Sequence, residues 1–392
     1  MTLLQTQQKN NLRYFYISRI FYELYFWGVV AIPFYIYKGF TIDYAFWLIA
    51  IYSYLVIVLE FPTGIIGDHY GHKISVALAG IFNALGFIIL LYASHIVGFI
   101  LAVIALALGL TLNSGSDIAL LKKISKDFKK DLKESQYVRY LTLTLAFAIS
   151  GIIGSLKLEY TLYLSIITNL LSTIFTLLVK EETKYIVKEK LIQTITQSIN
   201  TIKTIKNGML IIILMSVTGG LGGVAKTIIG SFEEILNINL QIVGLLIAIS
   251  MGARTVGLYL EKFEFFTVKQ WLLILATLYL LATSIVISKY IGITFYLITL
   301  AVVELIYFKV KLALSTEVKH TELASVLSLT GLTRKAVVGT ILNAIGLASG
   351  IFAIQAFFVG TGLTIGVFAI TQYRKIRSIE STATVYAKQV ML

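Results

Sequence analysis

The chain has 392 residues, of which 57% are hydrophobic and 14% are charged, with a mean hydropathy of +0.86 and a formal net charge of +13. Soluble domains carry about 25% charged residues, so this composition excludes a water-soluble globular protein. The sequence has no cysteine, which excludes disulfides, thiolate metal sites and cysteine nucleophiles.

Apolar stretches recur along the whole chain, and each provides the roughly 20 residues that a membrane-spanning helix needs. In the first half they predict helices at about 12–36, 43–66, 75–94, 98–121, 135–156 and 159–180. In the second half they predict helices at about 209–229, 238–260, 270–288, 290–313, 322–346 and 350–372. We therefore expect twelve spanning helices with no soluble domain between them, and insertion through the first helix without a cleaved signal peptide.

One long connection, residues 181–208, separates the two sets of helices and is rich in Lys and Glu. Isoleucines recur in it every three or four residues, at Ile192, Ile195, Ile199, Ile202 and Ile205. This spacing predicts an amphipathic helix on the inner membrane surface. We therefore divide the chain into an N-terminal six-helix bundle (1–180), a cytoplasmic amphipathic linker (181–208) and a C-terminal six-helix bundle with a short cytoplasmic tail (209–392).

Lysines and arginines are distributed unevenly between the two ends of the predicted helices. If the N-terminus is cytoplasmic, the outer loops hold only four of the 33, which are Lys38, Lys157, Lys226 and Lys289. This bias predicts a multi-pass protein of the cell (inner or plasma) membrane with both termini in the cytoplasm. The basic charge is then a topology signal, and we expect no nucleic-acid partner.

A short pattern repeats at the same place in each half of the chain. Gly64 is followed by Asp68 and His69 after the second predicted helix, and Gly257 is followed by Glu261 and Lys262 after the eighth. Both read glycine, three residues, acid, base, and they lie 193 residues apart. The matching positions indicate duplication of a six-helix unit.

The stretch from Glu60 to Lys73 reads EFPTGIIGDHYGHK. It resembles the signature loop between helices 2 and 3 of the major facilitator superfamily, with histidine in place of arginine at two positions. Its opening, and the stretch from Glu322 to Leu329, look like the drug and metabolite efflux branch. Helix 5 departs from that branch because the stretch from Ser150 to Ser155 has glycines without the usual proline, and helix 4 lacks the arginine of many proton-coupled members.

The resemblance implies an all-α polytopic membrane protein with the major facilitator fold, in which two six-helix bundles surround a central cavity. It also implies that the loop motif is a latch that holds the halves together when the cavity opens outward. The residues of this motif are Gly64, Asp68, His69, Gly71, His72 and Lys73. Independently of the family, Gly64 and Gly67 allow close helix approach and Gly71 allows a tight reversal within a loop of about eight residues. The alternative is a short loop whose basic residues only set topology.

Two carboxylates fall near the middle of predicted helices, where an ionised group needs a partner or a function. They are Glu23 in helix 1 and Glu304 in helix 10, which the family fold places at the cavity. We expect one of them to bind the coupling proton, because a low-dielectric cavity favours the protonated carboxyl. The alternatives are structural pairs: Glu23 with Arg19, and Glu304 with Arg334 or Lys335.

Further polar and aromatic residues at cavity-lining positions are candidates for substrate contact. They are Tyr22, Trp27, Asn113, Asp117, Arg334 and Lys335. For the aromatic residues the alternative is packing, and for Asp117 it is an interfacial position. Four glycines of helix 7, between Gly219 and Gly223, allow either bending or close packing.

These features predict a secondary active transporter that acts as a monomer. We expect a proton antiporter that exports a small amphipathic or hydrophobic compound, as multidrug transporters do. The alternative within transport is a symporter or facilitator that imports a metabolite. From another class comes a membrane-embedded enzyme or lipid-handling scaffold, although no catalytic constellation supports an enzyme. The four histidines lack metal-ligand spacing and no Gly-Lys-Ser/Thr motif occurs, so we expect no metal, no cofactor and no ATP-driven step.

Overall fold

The structure is a computed structural model, and it describes residues 3–181, 199–205, 207–260, 267–318, 320–348 and 350–372. Every regular element in these ranges is helical. The helices of the first part are α1 (Leu3–Glu23), α2 (Trp27–Tyr37), α3 (Ile42–Tyr70), α4 (His72–Tyr92), α5 (Ile96–Asn113), α6 (Ser116–Ile124), α7 (Phe128–Leu156) and α8 (Leu158–Leu178).

The helices of the second part follow the same pattern of long spans with short connections. They are α9 (Gly208–Gly230), α10 (Phe232–Leu236), α11 (Leu240–Leu260), α12 (Val268–Ala282), a 3-10 helix (Thr283–Val286), α13 (Lys289–Glu317), α14 (His320–Ala348) and α15 (Gly350–Thr371). Each of the twelve predicted spans falls on one of these helices or on a consecutive pair.

The chain divides into two compact units. The first unit comprises Met1–Lys188 together with Asn237–Ala248, and the second comprises Glu189–Leu236 together with Ile249–Leu392. The first unit thus takes in the beginning of α11, which the sequence assigned to the C-terminal bundle. The predicted domain limits themselves stay a prediction.

Ten described helices or consecutive helix pairs are long and apolar enough to cross a membrane. The helices α11 and α14 fall outside this set, and α14 carries Arg334 and Lys335 in its middle. The composition and these ten spans together make the chain a multi-pass membrane protein.

The first predicted helix is broken, contrary to the single helix expected at 12–36. Helix α1 ends at Glu23 and α2 begins at Trp27. Side chains satisfy two carbonyl groups that the break releases: the Ser150 hydroxyl donates to Phe26 O at 2.5 Å, and Thr168 Oγ1 donates to Leu24 O at 3.5 Å. Non-helical backbone is tolerated at membrane depth where such partners exist.

The fourth predicted helix is also broken, since α5 ends at Asn113 and α6 begins at Ser116. Gly115 has φ +75°, a conformation that side chains with a Cβ rarely adopt. The glycine therefore ends one helix and starts the next, and the continuous span expected at 98–121 is wrong in this respect.

Small and hydroxyl residues pack the helices of the first unit. Ser18 on α1 donates to Ser172 O of α8 at 3.0 Å and lies 2.6 Å from Thr176 Oγ1. A Cβ added to Gly80 would lie 2.2 Å from Thr173 Oγ1. These contacts bring backbones close together, as is usual between membrane helices.

The second unit combines an aromatic core with close packing on glycine. Tyr279, Tyr296 and Phe358 are fully buried and contact one another through their rings. On α9, which is continuous, a Cβ at Gly220 would lie 2.5 Å from Val337 and one at Gly223 would lie 2.8 Å from Val338. The glycines of helix 7 therefore serve close packing with α14.

The structure describes only the end of the linker, and its amphipathic role stays a prediction. Residues 199–204 are helical, with Ile202 and Ile205 buried and Ile199 exposed. The other two isoleucines of the stripe lie outside the described residues.

Candidate functional site

Four charged side chains of the first unit form a chain of alternating sign. Arg19 on α1 pairs through Nη1 with Asp117 Oδ2 on α6. The other terminal nitrogen of Arg19 lies 3.5 Å from Glu23 Oε1. Arg139 on α7 completes the chain, because its Nε lies 3.3 Å from the same Glu23 oxygen. The order is therefore Asp117, Arg19, Glu23, Arg139, and each inner member contacts two opposite charges.

Burial differs sharply along this chain. The side chains of Arg19, Glu23 and Asp117 are 4%, 8% and 12% exposed, whereas Arg139 is 45% exposed. Buried ions are tolerated only when they are paired, and removing one partner of a buried pair costs about 3–5 kcal/mol. Three members are thus buried and held by mutual pairing, and the fourth, Arg139, is partly exposed.

The two helix breaks explain the placement of the carboxylates. Asp117 lies in the first turn of α6, where the positive end of the helix dipole favours a carboxylate, and its Oδ1 accepts from Ile118 N at 2.7 Å. Glu23 is the last residue of α1, where the dipole disfavours negative charge. Two arginines on Glu23 offset this local disadvantage.

A small cavity adjoins the charge chain within the first unit. It measures about 10 Å³, which is room for about one water molecule, and its polar lining comes from Ser18, Arg19, Tyr22, Asn113, Asp117 and Thr176. The structure therefore brings together three of the residues predicted to contact substrate, Tyr22, Asn113 and Asp117. The space they enclose is too small for an organic compound.

Trp27 does not join this group. It is 5% exposed and packs edge-on against Phe34, Tyr35 and Phe87. These contacts correspond to the packing alternative, and a substrate contact at Trp27 stays a prediction.

The second unit places its charges differently. Glu304 and Lys311 lie two turns apart on α13, and Arg334 on α14 acts electrostatically on the same lysine. A Cβ at Gly219 would lie 2.8 Å from Arg334 Cδ and 3.0 Å from the Tyr307 ring. Gly219 thus provides the space in which the arginine stem crosses α9, while Lys335, the next residue, is half-buried.

The loop motif is more helical than the sequence indicated. Gly71 alone separates α3 from α4, so Gly64, Asp68 and His69 belong to α3 and the expected eight-residue loop is wrong. Gly71 has φ +102°, as its predicted role in a tight reversal requires. At Gly67 a Cβ would lie 2.7 Å from Ser116 Oγ, whereas at Gly64 it would meet no atom of the described residues. Close helix approach therefore holds for Gly67 and not for Gly64; the Asp68 side chain lies outside the described residues.

Sequence analysis missed Glu181, which binds the start of the motif's second helix. Its Oε2 accepts from Lys73 N at 2.8 Å, and its Oε1 lies 3.3 Å from His72 N and 2.6 Å from Lys123 Nζ. Burial opposes ionisation of this carboxyl, but the hydrogen bonds from Lys123, Lys73 and His72 outweigh it and lower its pKa. A carboxylate over the first amides of a helix is a favourable cap.

The counterpart motif of the second half is described only in part. Gly257 lies within α11, and Glu261 and Lys262 lie outside the described residues.

Sequence analysis also missed Arg139. It lies inside a predicted membrane helix, and an ionisable residue at such a position is a functional candidate by default. Other polar residues in helix 5 made this charged residue less conspicuous in the sequence.

No family model and no curated protein sequence matches the chain. Solved structures do match. The chain is similar to the peptide transporter POT in complex with sulfate, with 13% identity, a TM-score of 0.74, and coverage of 97% of this chain and 99% of that one. It is also similar to the nucleoside transporter NupG, with 12% identity, a TM-score of 0.72, and coverage of 94% and 98%.

A POT family transporter in complex with 5-aminolevulinic acid matches over 96% of both chains, with 12% identity and a TM-score of 0.71. Likeness at this level of identity shows the fold, which is the all-α major facilitator fold that the sequence predicted. These solved structures are transporters and not enzymes.

Proposed function

We propose that this chain is a secondary active transporter that couples the movement of a small amphipathic compound to protons through Glu23. The observation that carries the proposal is the position of Glu23: a buried carboxylate at a break in a spanning helix, shared by two arginines. Broken helices of this kind form the binding sites of many transporters. The likeness to a peptide and a nucleoside transporter supports a small-molecule substrate.

Glu23 suits proton coupling because one of its two arginine contacts comes from a different helix and would be lost if the helices moved apart. Arg19 lies on the same helix one turn away, whereas Arg139 belongs to α7. A movement of α7 relative to α1 would therefore change the cation count around Glu23. A carboxylate that loses a cationic neighbour in a poorly solvated site binds a proton more readily. The protonation state of Glu23 and the helix arrangement are thus linked.

The test uses proteoliposomes with an imposed pH gradient and a panel of amphipathic anions, cations and neutral compounds. Compound-dependent proton movement supports the proposal, and uptake without proton movement supports a facilitator. If no compound moves, the protein is instead a membrane-embedded enzyme or scaffold. The variant Glu23→Gln should retain exchange and lose gradient-driven accumulation. Glu134→Gln on α7, an exposed carboxylate that pairs with Lys130 at 4.0 Å, is the matched control.

Glu304 is the second candidate for coupling, because it also shares a membrane helix with a cation, Lys311. If Glu23→Gln keeps accumulation with unchanged pH dependence and Glu304→Gln abolishes it, coupling belongs to the second unit.

Export with both termini in the cytoplasm is our working direction and topology, and import by symport is the alternative. We also retain the latch role of the loop motif as part of the proposal. Asp68→Asn should then reduce transport strongly and leave membrane insertion intact. Full activity of this variant would return the motif to a topology role.

A further inference from the structure

The alternating charge chain ends differently on its two sides. At one end, Asp117 is closed off: it is 12% exposed, pairs with Arg19 and accepts a backbone hydrogen bond. At the other end, Arg139 is 45% exposed and uses Nε for Glu23. Arg139 is therefore the one member of this neutral chain whose charge is partly accessible.

Arg139 is exposed on a face of α7 that is otherwise buried. Ser135, Thr142, Ala146 and Ser150 recur at helical spacing along that face, and all of them are at most 7% exposed. Arg139 falls between the first two of these positions. Part of the Arg139 side chain is therefore accessible on the packed side of the helix.

We propose that Arg139 binds an anionic group, a carboxylate or a phosphate, of the transported compound. This inference rests on the proposed transport function and specifies its substrate class as small amphipathic anions. A guanidinium presents five N–H donors in a planar fork and binds carboxylate and phosphate through two parallel hydrogen bonds. The nitrogens other than Nε supply such an edge while Nε keeps its contact with Glu23.

Binding of an anion at Arg139 also affects the proton site. The new anion shares Arg139 with Glu23 and adds negative charge next to this carboxylate. Arg19 and Asp117 on the inner side form a compensated pair, and Tyr22 and Tyr140 are the other titratable groups that act on Arg139. Anion binding therefore acts electrostatically on the proposed coupling residue.

Chemical protection of Arg139 tests the inference without requiring transport. The full chain in dodecyl maltoside is treated with phenylglyoxal, which modifies accessible arginines, and each modified arginine is quantified by peptide mass spectrometry. Benzoate is the probe, and its neutral analogue benzamide is the control. Benzoate should slow modification of Arg139, whereas exposed Arg13 on α1 should react at the same rate throughout. Equal protection by benzamide, or none by benzoate, overturns the proposal.

A lipid phosphate could present the same chemistry, so a second arm adds phosphatidylglycerol vesicles. Protection that requires these vesicles and is absent with benzoate alone assigns Arg139 to lipid and overturns a substrate role. Protection by benzoate in lipid-free detergent supports the substrate role.

Variants separate this inference from the proposed function. Arg139→Gln should weaken benzoate binding about tenfold or more, since a charge-assisted hydrogen bond is lost, and Arg139→Lys should restore part of it. Lys130→Gln, which removes an exposed positive charge from the same helix, should change nothing. If cationic or neutral compounds move with protons and benzoate neither binds nor moves, proton-coupled transport stands and the anion site fails.

Discussion

The two units solve the problem of charge at membrane depth in different ways. In the first unit, two carboxylates and two arginines compensate one another. Both carboxylates lie at helix ends where a predicted membrane helix is interrupted. In the second unit, Glu304 and Arg334 both act electrostatically on Lys311, and a glycine makes room for the arginine. In the first arrangement each inner member depends on two partners, whereas in the second the cations Arg334 and Lys311 repel each other. Removal of a single charge should therefore have unequal consequences in the two units.

The largest effect is expected from Arg19→Gln in the first unit. This change leaves Asp117 buried without its cation and leaves Glu23 with Arg139 alone. The free energy of unfolding should therefore fall by about 3–5 kcal/mol. The matched change Arg334→Gln removes a like charge near Lys311 and should cost less. Denaturant unfolding of both variants in detergent measures the difference.

A double variant checks that pairing is the cause. In Arg19→Met with Asp117→Leu, no buried charge of that pair remains, and much of the lost stability should return. Equal destabilisation by Arg19→Gln and Arg334→Gln would remove the distinction between the units.

Gly219→Ala is expected to have an intermediate effect in the second unit. The added methyl would overlap Arg334 Cδ and the Tyr307 ring, and overpacking of this kind costs about 1–3 kcal/mol. Gly331→Ala on α14 is the control, because a Cβ there meets no atom of the described residues. Loss of stability or of transport in the first variant and not in the second is the expected result. If both behave alike, the glycine does not position Arg334.

Much of the fold could be predicted from the sequence, because the bilayer demands apolar stretches of defined length and the helices follow them. The breaks after Glu23 and around Gly115 could not be, since each depends on partners distant in sequence, such as Ser150 and Thr168. Arg19 had a visible partner in Glu23, one turn away. Its contact with Asp117 was hidden, because only packing of α1 against α6 brings these residues together.

The smallest effect is expected at Glu181, outside the spanning helices. Its lowered pKa means that folding favours the ionised carboxyl, so its stabilisation is fully present above the ordinary value of 4.5 and is lost as the pH falls towards the lowered folded pKa. Glu181→Gln keeps one acceptor and loses the charge-assisted bond to Lys123, which should cost about 1 kcal/mol at neutral pH. Acid unfolding then distinguishes the two proteins: their stabilities should converge as the pH falls below about 4.5, because the wild-type carboxyl becomes neutral like the amide. Glu134→Gln, at an exposed pair, should show no such convergence. A stability difference that stays constant down to low pH would mean that Glu181 contributes by shape and not by charge.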